Sequence, residues 1–470
     1  MKLYRYRTIK NALTEIENRT FHFANREELN DPIEGYVNLY FQGDRPAWEG
    51  LLKNYVCSFF MGIEKYLLTS QEKSNEKKYL EEILQDFQSR AILVDIHAFD
   101  DVPLGNHLKN LSERFLDDKL VQKLAKCYGD RKLKCSSKEL QLILRAVHHK
   151  AFVICMRHLK SNNLISDFPE DDYYKELPDF PFEAIEKVDS VERKLAVDVA
   201  ENKCADRMEQ MAFIIKSRHE TSFIEKSIPY DHRQQIVWTN IQFNFPKLYV
   251  EQLHDVIYPD GYVICFSIPK KDSTMDSAMW GNYAQNHQGI CFIYETQEIN
   301  GKEYFTVDSK KMEVRKVIYD GDVIERNFFT TLGRLTYTQI QSWLTGKDNK
   351  VSKLIENFSE DNIVPWSEKY WVDYIEKFHR KNSAWEHEQE CRILLHDTLY
   401  PYNPREKHCL KYDPLALKGI IFGINTSIDK KFEIIQKIRQ AGDKFRHVEF
   451  LQAEYECDTQ KIYARKKNYL

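Results

Sequence analysis

The sequence predicts a mixed α/β (α+β) fold, in which a discontinuous mixed-sheet domain is interrupted by a large helical insertion. Three observations carry this. Residues 1–43 and 255–470 are built of short aromatic and β-branched runs separated by turn residues. Residues 44–254 hold few glycines (Gly50, Gly62, Gly105 and Gly129) and repeat apolar residues at helical spacing. The length of 470 residues leaves room for two to three domains.

The elements follow in order. Residues 3–7 (LYRYR) alternate with period two, so Tyr4 and Tyr6 share one face and Arg5 and Arg7 the other. Residues 9–18 read as a short helix and 20–24 (TFHFA) as a second strand. Residues 28–32 form a turn, because Asn30 and Asp31 can bond their own backbone and Pro32 fixes φ. Helical periodicity is clearest over 77–96, 138–159 and 186–217, with a Pro- and Asp-rich linker at 161–183. Strand texture returns at 261–266. A helix is expected over 278–287, closed by Gly289, and then strands at 290–294 and 314–319. Helical material fills 325–380, followed by strands at 389–395 and 417–422, a helix at 429–441, and strands at 447–451 and 462–465.

Composition narrows the function classes. A net charge of −4 gives no global basic field for nucleic acid and no acidic run that mimics it. The ten cysteines form no C-x-x-C pair and sit among apolar neighbours, which predicts free thiols in a reducing compartment. The first residues have no apolar signal core, and no apolar run reaches membrane-spanning length, so a cytoplasmic protein without a membrane partner is expected. Neither a P-loop, a Rossmann phosphate turn nor a G-x-S-x-G elbow is present.

Three runs could carry chemistry. In Trp385-Glu386-His387-Glu388-Gln389-Glu390-Cys391-Arg392, a strand would place Glu388, Glu390 and Arg392 on one face. That is either a solvated ion-paired edge or a carboxylate pair tuned by a cation for acid–base or sugar chemistry. Around residue 280, a helix would align Trp280, Tyr283, Ala284 and His287, either packed on the sheet or holding a planar ring. Arg5 and Arg7, with the turn at Asn30 and Asp31, could grip phosphates or pair with Glu388 or Glu390. His148, His149, Cys155 and His158 are too spread along one helix to make a metal site, and no metal is expected there.

Together these motifs resemble the bacterial DUF2971 family, a domain of unknown function. The residues that carry the resemblance are Tyr4-Arg5-Tyr6-Arg7, Asn30-Asp31-Pro32-Ile33-Glu34-Gly35, Met279-Trp280-Gly281-Asn282-Tyr283-Ala284 with His287 and Gly289, and Trp385, Glu388, Glu390 and Arg392. It covers the two flanks, slightly more than half the chain, and not the insertion. The family usually has Ser or His where Gly281 stands and often Trp where Cys391 stands. Its motif order looks like that of ADP-ribosyltransferases, although the Ser-Thr-Ser or Tyr signature of their second strand is absent from 20–24.

The resemblance implies an NAD-consuming, ADP-ribosyltransferase-like bacterial effector of toxin or antiphage type, with NAD as substrate. Glu390, Glu388 and Arg392 would be catalytic, and Arg5, Arg7, Asn30, Asp31, Trp280, Tyr283 and His287 would bind the dinucleotide. The acceptor would be a protein or nucleic acid, and the helical insertion would meet a defence-system or antitoxin partner. Two alternatives stand beside it: a metal-dependent nucleic-acid-cleaving effector, and a nucleotide-sensing module without catalysis. The reading also expects the first strand and the late Glu-x-Glu-x-Arg strand to be neighbours.

Overall fold

A computed structural model describes the chain except residues 71–102, 166–190, 204–243, 397–407 and 468–470, and the positions 32, 131, 192, 260, 273, 321–322, 357–358 and 360–362. The helices expected over 77–96 and 186–217 and the linker at 161–183 lie largely or wholly outside the described residues. The fold is mixed α/β. Its two compact units are Met1–Val37, Pro259–Ile324 and Asp373–Leu470 in one, and Asn38–Tyr258 with Glu325–Val372 in the other. Residues 325–372, placed by sequence with the sheet domain, therefore belong to the helical unit.

The first unit is built on one mixed sheet. Its members in chain order are β1 (Lys2–Arg7), β5 (Gly261–Ser267), β6 (Thr274–Met275), β7 (Ile290–Glu295), β8 (Gln297–Ile299), β9 (Lys302–Val307), β10 (Lys310–Lys316), β14 (Glu390–His396), β16 (Leu417–Phe422), β17 (Glu449–Glu456) and β18 (Lys461–Lys466). They lie in the order β6-β18-β17-β16-β7-β1-β5-β14-β10-β9-β8. Only β16 and β17 run parallel; the other neighbours are antiparallel. The first strand and the late acidic strand are thus not neighbours, because β5 lies between them.

Period-two alternation decides what each face of the sheet buries. Leu3, Ile264, Phe266, Cys391, Ile393, Ile420 and Phe422 face one core, covered by α1 (Ile9–Asn18) and α10 (Ile428–Gln440) through Ile9, Ala12, Ile16, Ile434 and Ile438. Tyr6, Cys291, Ile421 and Ala453 face the other, covered by Met279 and Trp280 of α7 (Ser277–Tyr283). Thr8 caps α1 through a hydrogen bond from Asn11 N–H. Gly289, expected to close a helix over 278–287, instead follows a run of left-handed residues. The helix stops at Tyr283, because Gln285, Asn286 and His287 all have positive φ.

Gly289 is needed for another reason: a Cβ there would sit 2.2 Å from Arg7 O and 2.9 Å from Ala284 O. Gly289→Ala is therefore expected to cost about 1–3 kcal/mol, read by chemical denaturation.

In the second unit, α2 (Arg45–Ser70), α3 (Pro103–Leu116), α4 (Lys119–Asp130), α5 (Ser137–Ser161) and α6 (Phe245–Ile257) form the described part of a helical bundle. Here His148 Nδ1 meets Tyr55 Oη at 2.6 Å and His158 Nε2 meets His107 Nδ1 at 2.5 Å. Each histidine has its own partner, and among the described residues no three His, Cys, Asp or Glu side chains are grouped to share a metal ion.

Candidate functional site

The site begins with a split in the sheet. Among the described residues, β1 and β5 share a single rung, Tyr4 with Ser267, while β5 stays paired with β14 from Ser267 and Glu390 to Gly261 and His396. Beyond the rung, Ala24 takes the other edge of β5 through an isolated bridge to Val263. Arg5 spans the opening, donating from Nη1 to Cys265 O at 2.9 Å. The split opens a cavity of about 740 Å³ lined from both sides.

One wall is a buried charge cluster. Glu390 and Arg392 alternate with the core residues Cys391 and Ile393, so both point to the cavity side. Arg392 Nη2 donates to Glu390 Oε2 at 2.5 Å, Nη1 donates to Phe378 O at 2.8 Å, and Nη1 also lies 2.5 Å from Glu34 Oε1. Lys381 Nζ donates to Glu388 Oε2 at 2.6 Å and reaches Glu390 at 3.4 Å and Glu34 at 3.5 Å. The Trp385 ring lies 4.8 Å from the same ammonium. Tyr283 Oη donates to Glu388 Oε1 at 2.5 Å and accepts from Asn30 Nδ2 at 2.5 Å. Tyr319 Oη accepts the Glu390 N–H at 2.7 Å.

Glu34 and Glu390, held by the same two cations, do not titrate alike. Burial pushes Glu34 up, and the attraction of Arg392 and Lys381 does not offset it. Burial also acts on Glu390, but Arg392 and Lys381 outweigh it and hold its carboxyl below the ordinary range. The same carboxylates raise Lys381 against its own burial. Glu390 is thus kept ionised, and of the two Glu34 takes a proton more readily.

The sign for stability follows. A raised carboxyl favours folding below its unfolded pKa and loses that contribution as pH rises through the folded pKa; a lowered one does the reverse. Glu34→Gln should therefore compare more favourably with wild type at pH 8 than at pH 5, in thermal melts at both.

The other wall comes from β1 and α1. Glu15 falls on the apolar stripe of Ala12 and Ile16 and is buried. Its carboxylate accepts from Arg5 Nε at 3.3 Å, Arg7 Nε at 3.1 Å and Tyr294 Oη at 2.8 Å. Arg5 is covered and stacks over Phe21 and Phe266. Arg7 is a quarter exposed, and its two terminal nitrogens have no hydrogen-bond partner among the described residues. It presents an open guanidinium edge to the cavity.

Of the residues singled out from sequence, Arg5, Arg7, Asn30, Tyr283, Glu388, Glu390 and Arg392 line this cavity. Three do not. Asp31 is buried as an Asx turn, accepting the Ile33 N–H at 3.1 Å, while Pro32 lies outside the described residues. Trp280 is buried edge-on to Tyr6 at 5.1 Å. His287 stacks on Trp280 and lines a separate surface depression. The aromatic helix face expected around residue 280 is divided because the helix ends early, leaving only Tyr283 of the three aimed at the cavity.

Glu388 also departs from expectation. The strand begins at Glu390; Gln389 is left-handed and Glu388 ends a 3-10 turn, Ser383–Glu388. Nor do Arg5 and Arg7 pair with Glu388 or Glu390, because Glu15 takes both.

Sequence reasoning missed Glu15, Glu34, Tyr319 and Lys381. Glu15 carried a signal as an acid on an apolar stripe, and Glu34 stood inside a quoted motif. Tyr319 and Lys381 had none, being brought in by the short parallel pairing of β11 (Ile318–Tyr319) with β13 (Arg380–Lys381).

Residues 279–393 match a family model described as a protein of unknown function, DUF2971. That stretch belongs to the DUF2971 family. It runs from α7 to β14 and so contains Tyr283, Tyr319, Lys381, Glu388, Glu390 and Arg392, the charge cluster apart from Asn30 and Glu34. The first strand and the turn with Asn30 and Asp31 lie outside the match, which spans less than half of the chain. Neither the curated proteins nor the solved structures contain a match to the chain. The description of DUF2971 names no reaction. Among the described residues no helix is long and apolar enough to cross a membrane.

Proposed function

We propose that the cavity is the active site of an NAD-consuming enzyme that transfers or hydrolyses the ADP-ribosyl group. The observation that carries this reading is the convergence of Arg7, Tyr283, Glu388 and Glu390, drawn from opposite ends of the chain, on one cavity. An ionised carboxylate in a largely buried cleft can stabilise the oxocarbenium character that develops as a glycosidic bond breaks. Glu390 meets that requirement, since Arg392 and Lys381 keep it charged and fix its direction. Arg7 supplies a diphosphate contact.

In the step itself, the bond between the ribose carbon and the nicotinamide nitrogen breaks and its electron pair leaves with nicotinamide. Glu390 stabilises the positive sugar. An acceptor oxygen then bonds to the sugar carbon and gives its proton to Glu388. Trp280 and His287, set away from the cavity, have no part in this reading, and stacking on the bound ring falls to Tyr283 or Tyr4.

A metal-dependent nuclease is less well supported, because Glu388 and Glu390 already hold Lys381 and Arg392 and would have to exchange them for the ion. An enzyme that spends NAD fits an effector of toxin or antiphage type, restrained in a bacterial cytoplasm by a partner on the helical unit. The described cysteines are all free thiols, in keeping with a reducing compartment.

The test is nicotinamide release from NAD by the purified full chain, with protein, nucleic acid and water as acceptors. Release is expected, and Arg7→Gln should raise the half-saturating NAD concentration about tenfold, for the loss of one charge-assisted contact, with a smaller change in turnover. Absence of release with all three acceptors overturns the proposal.

A further inference from the structure

The same cavity carries a second constellation that the ribosyl-transfer reading does not use. Strand β2 (Thr20–His22) pairs antiparallel with β15 (Cys409–Lys411), and the register sets Cys409 directly opposite His22. Directly opposed residues on an antiparallel pair present their side chains on one face. Cys409 Sγ lies 3.6 Å from His22 Nδ1, within hydrogen-bonding reach for sulfur. The other ring nitrogen, Nε2, lies 3.1 Å from Glu28 Oε2.

Local sequence explains why Glu28 is there. Asn25-Arg26-Glu27-Glu28 is a capping box, in which Glu28 N–H donates to Asn25 Oδ1 at 3.0 Å and Asn25 N–H donates to Glu28 Oε2 at 3.1 Å. The box fixes the carboxylate against the ring. An ionised carboxylate only accepts, so it selects the tautomer with the proton on Nε2 and leaves the Nδ1 lone pair facing Sγ. Cys409, His22 and Glu28 all line the main cavity, and Cys409 is exposed.

We propose that Cys409, His22 and Glu28 form a nucleophilic thiol–imidazole–carboxylate relay that accepts the acyl group of an ester or thioester entering the cavity. A nucleophile within reach of a base that a third group orients is the arrangement that activates a thiol. His22 Nδ1 takes the Sγ proton, Sγ bonds to the carbonyl carbon, and the bond to the leaving oxygen or sulfur breaks with its electron pair going to that atom. His22 returns the proton to the leaving group. Water then hydrolyses the resulting thioester by the reverse sequence, giving a carboxylic acid and the free thiol. The relay uses none of the groups assigned to ribosyl transfer, so it stands or falls without that reading.

The test uses the full chain and 4-nitrophenyl acetate, followed by peptide mass spectrometry. The expected result is a burst of about one nitrophenolate per chain, with the acetyl group on Cys409. His22→Gln should slow the burst about 100-fold, the lower end for loss of a general base, and Glu28→Gln should slow it less. Acetylation of Cys457, the other exposed thiol among the described residues, at the rate of Cys409 overturns the proposal, as does a burst unchanged by His22→Gln. Should His22→Gln fail to fold, iodoacetamide labelling of wild type decides. Cys409 alkylated about tenfold faster than Cys457 supports the relay, and equal rates overturn it.

Discussion

Glu390→Gln is expected to lower nicotinamide release from NAD by about 100- to 1000-fold. The amide keeps the shape of the side chain and can still accept from Arg392, but it removes the charge that the developing sugar cation needs. The loss should fall mainly on turnover, because the carboxylate acts on charge that appears in the transition state rather than on bound NAD. Folding adds a complication in the same cluster. Glutamine leaves Arg392 with Glu34 as its remaining carboxylate, 2.5 Å away. A melting curve must therefore accompany the kinetics. A kinetic loss with the melting transition of the sheet unit still present is the predicted pair of results, and turnover within a few-fold of wild type would remove Glu390 from the chemistry.

Arg392→Met is expected to cost about 3–5 kcal/mol. Arg392 is 1% exposed and holds Glu390 through Nη2 and both Glu34 and the Phe378 carbonyl through Nη1. Methionine fills part of the volume but leaves Glu34 and Glu390 to share Lys381 with Glu388 as their cation. Chemical denaturation, read on the transition of the unit that contains the sheet, measures the loss. Arg392→Lys should recover only part of it, because an ammonium keeps the charge but cannot span both carboxylates and the carbonyl with a planar fork. Adding Glu34→Gln to Arg392→Met should return some stability, since it removes one of the two stranded charges.

The parts of this fold that were legible in the sequence are those set by local periodicity. Alternation in residues 3–7 and in the strand expected over 389–395 separates the two faces of β1 and β14, and the placing of Cys391 and Ile393 in the core follows from it. Where backbone conformation changes within one or two residues, periodicity misleads. Alternation puts Glu388 on the strand, yet the left-handed Gln389 separates the two; helical spacing carries the helix through Tyr283 four residues too far for the same reason. The strand order, and with it β5 between the two charged strands, depends on pairing across hundreds of residues that no local pattern encodes.

The candidate site shows the same division. Charged residues that interrupt an apolar pattern were visible, and seven of the ten singled out line the cavity. Their partners were not visible. Lys381 and Glu34 acquire meaning only when chain segments far apart in sequence are folded together, and Glu15 was hidden inside an ordinary helix. A partner matters as much as the residue it holds, since Glu390 owes its ionised state to Arg392 and Lys381.

The most direct test of the account is a crystal structure of the full chain with NAD at saturating concentration. The account predicts NAD in the opening between β1 and β5, its diphosphate on the Arg7 guanidinium and its nicotinamide ribose beside Glu390. NAD bound elsewhere on the chain, or a cavity left empty at a concentration that saturates turnover, would contradict it.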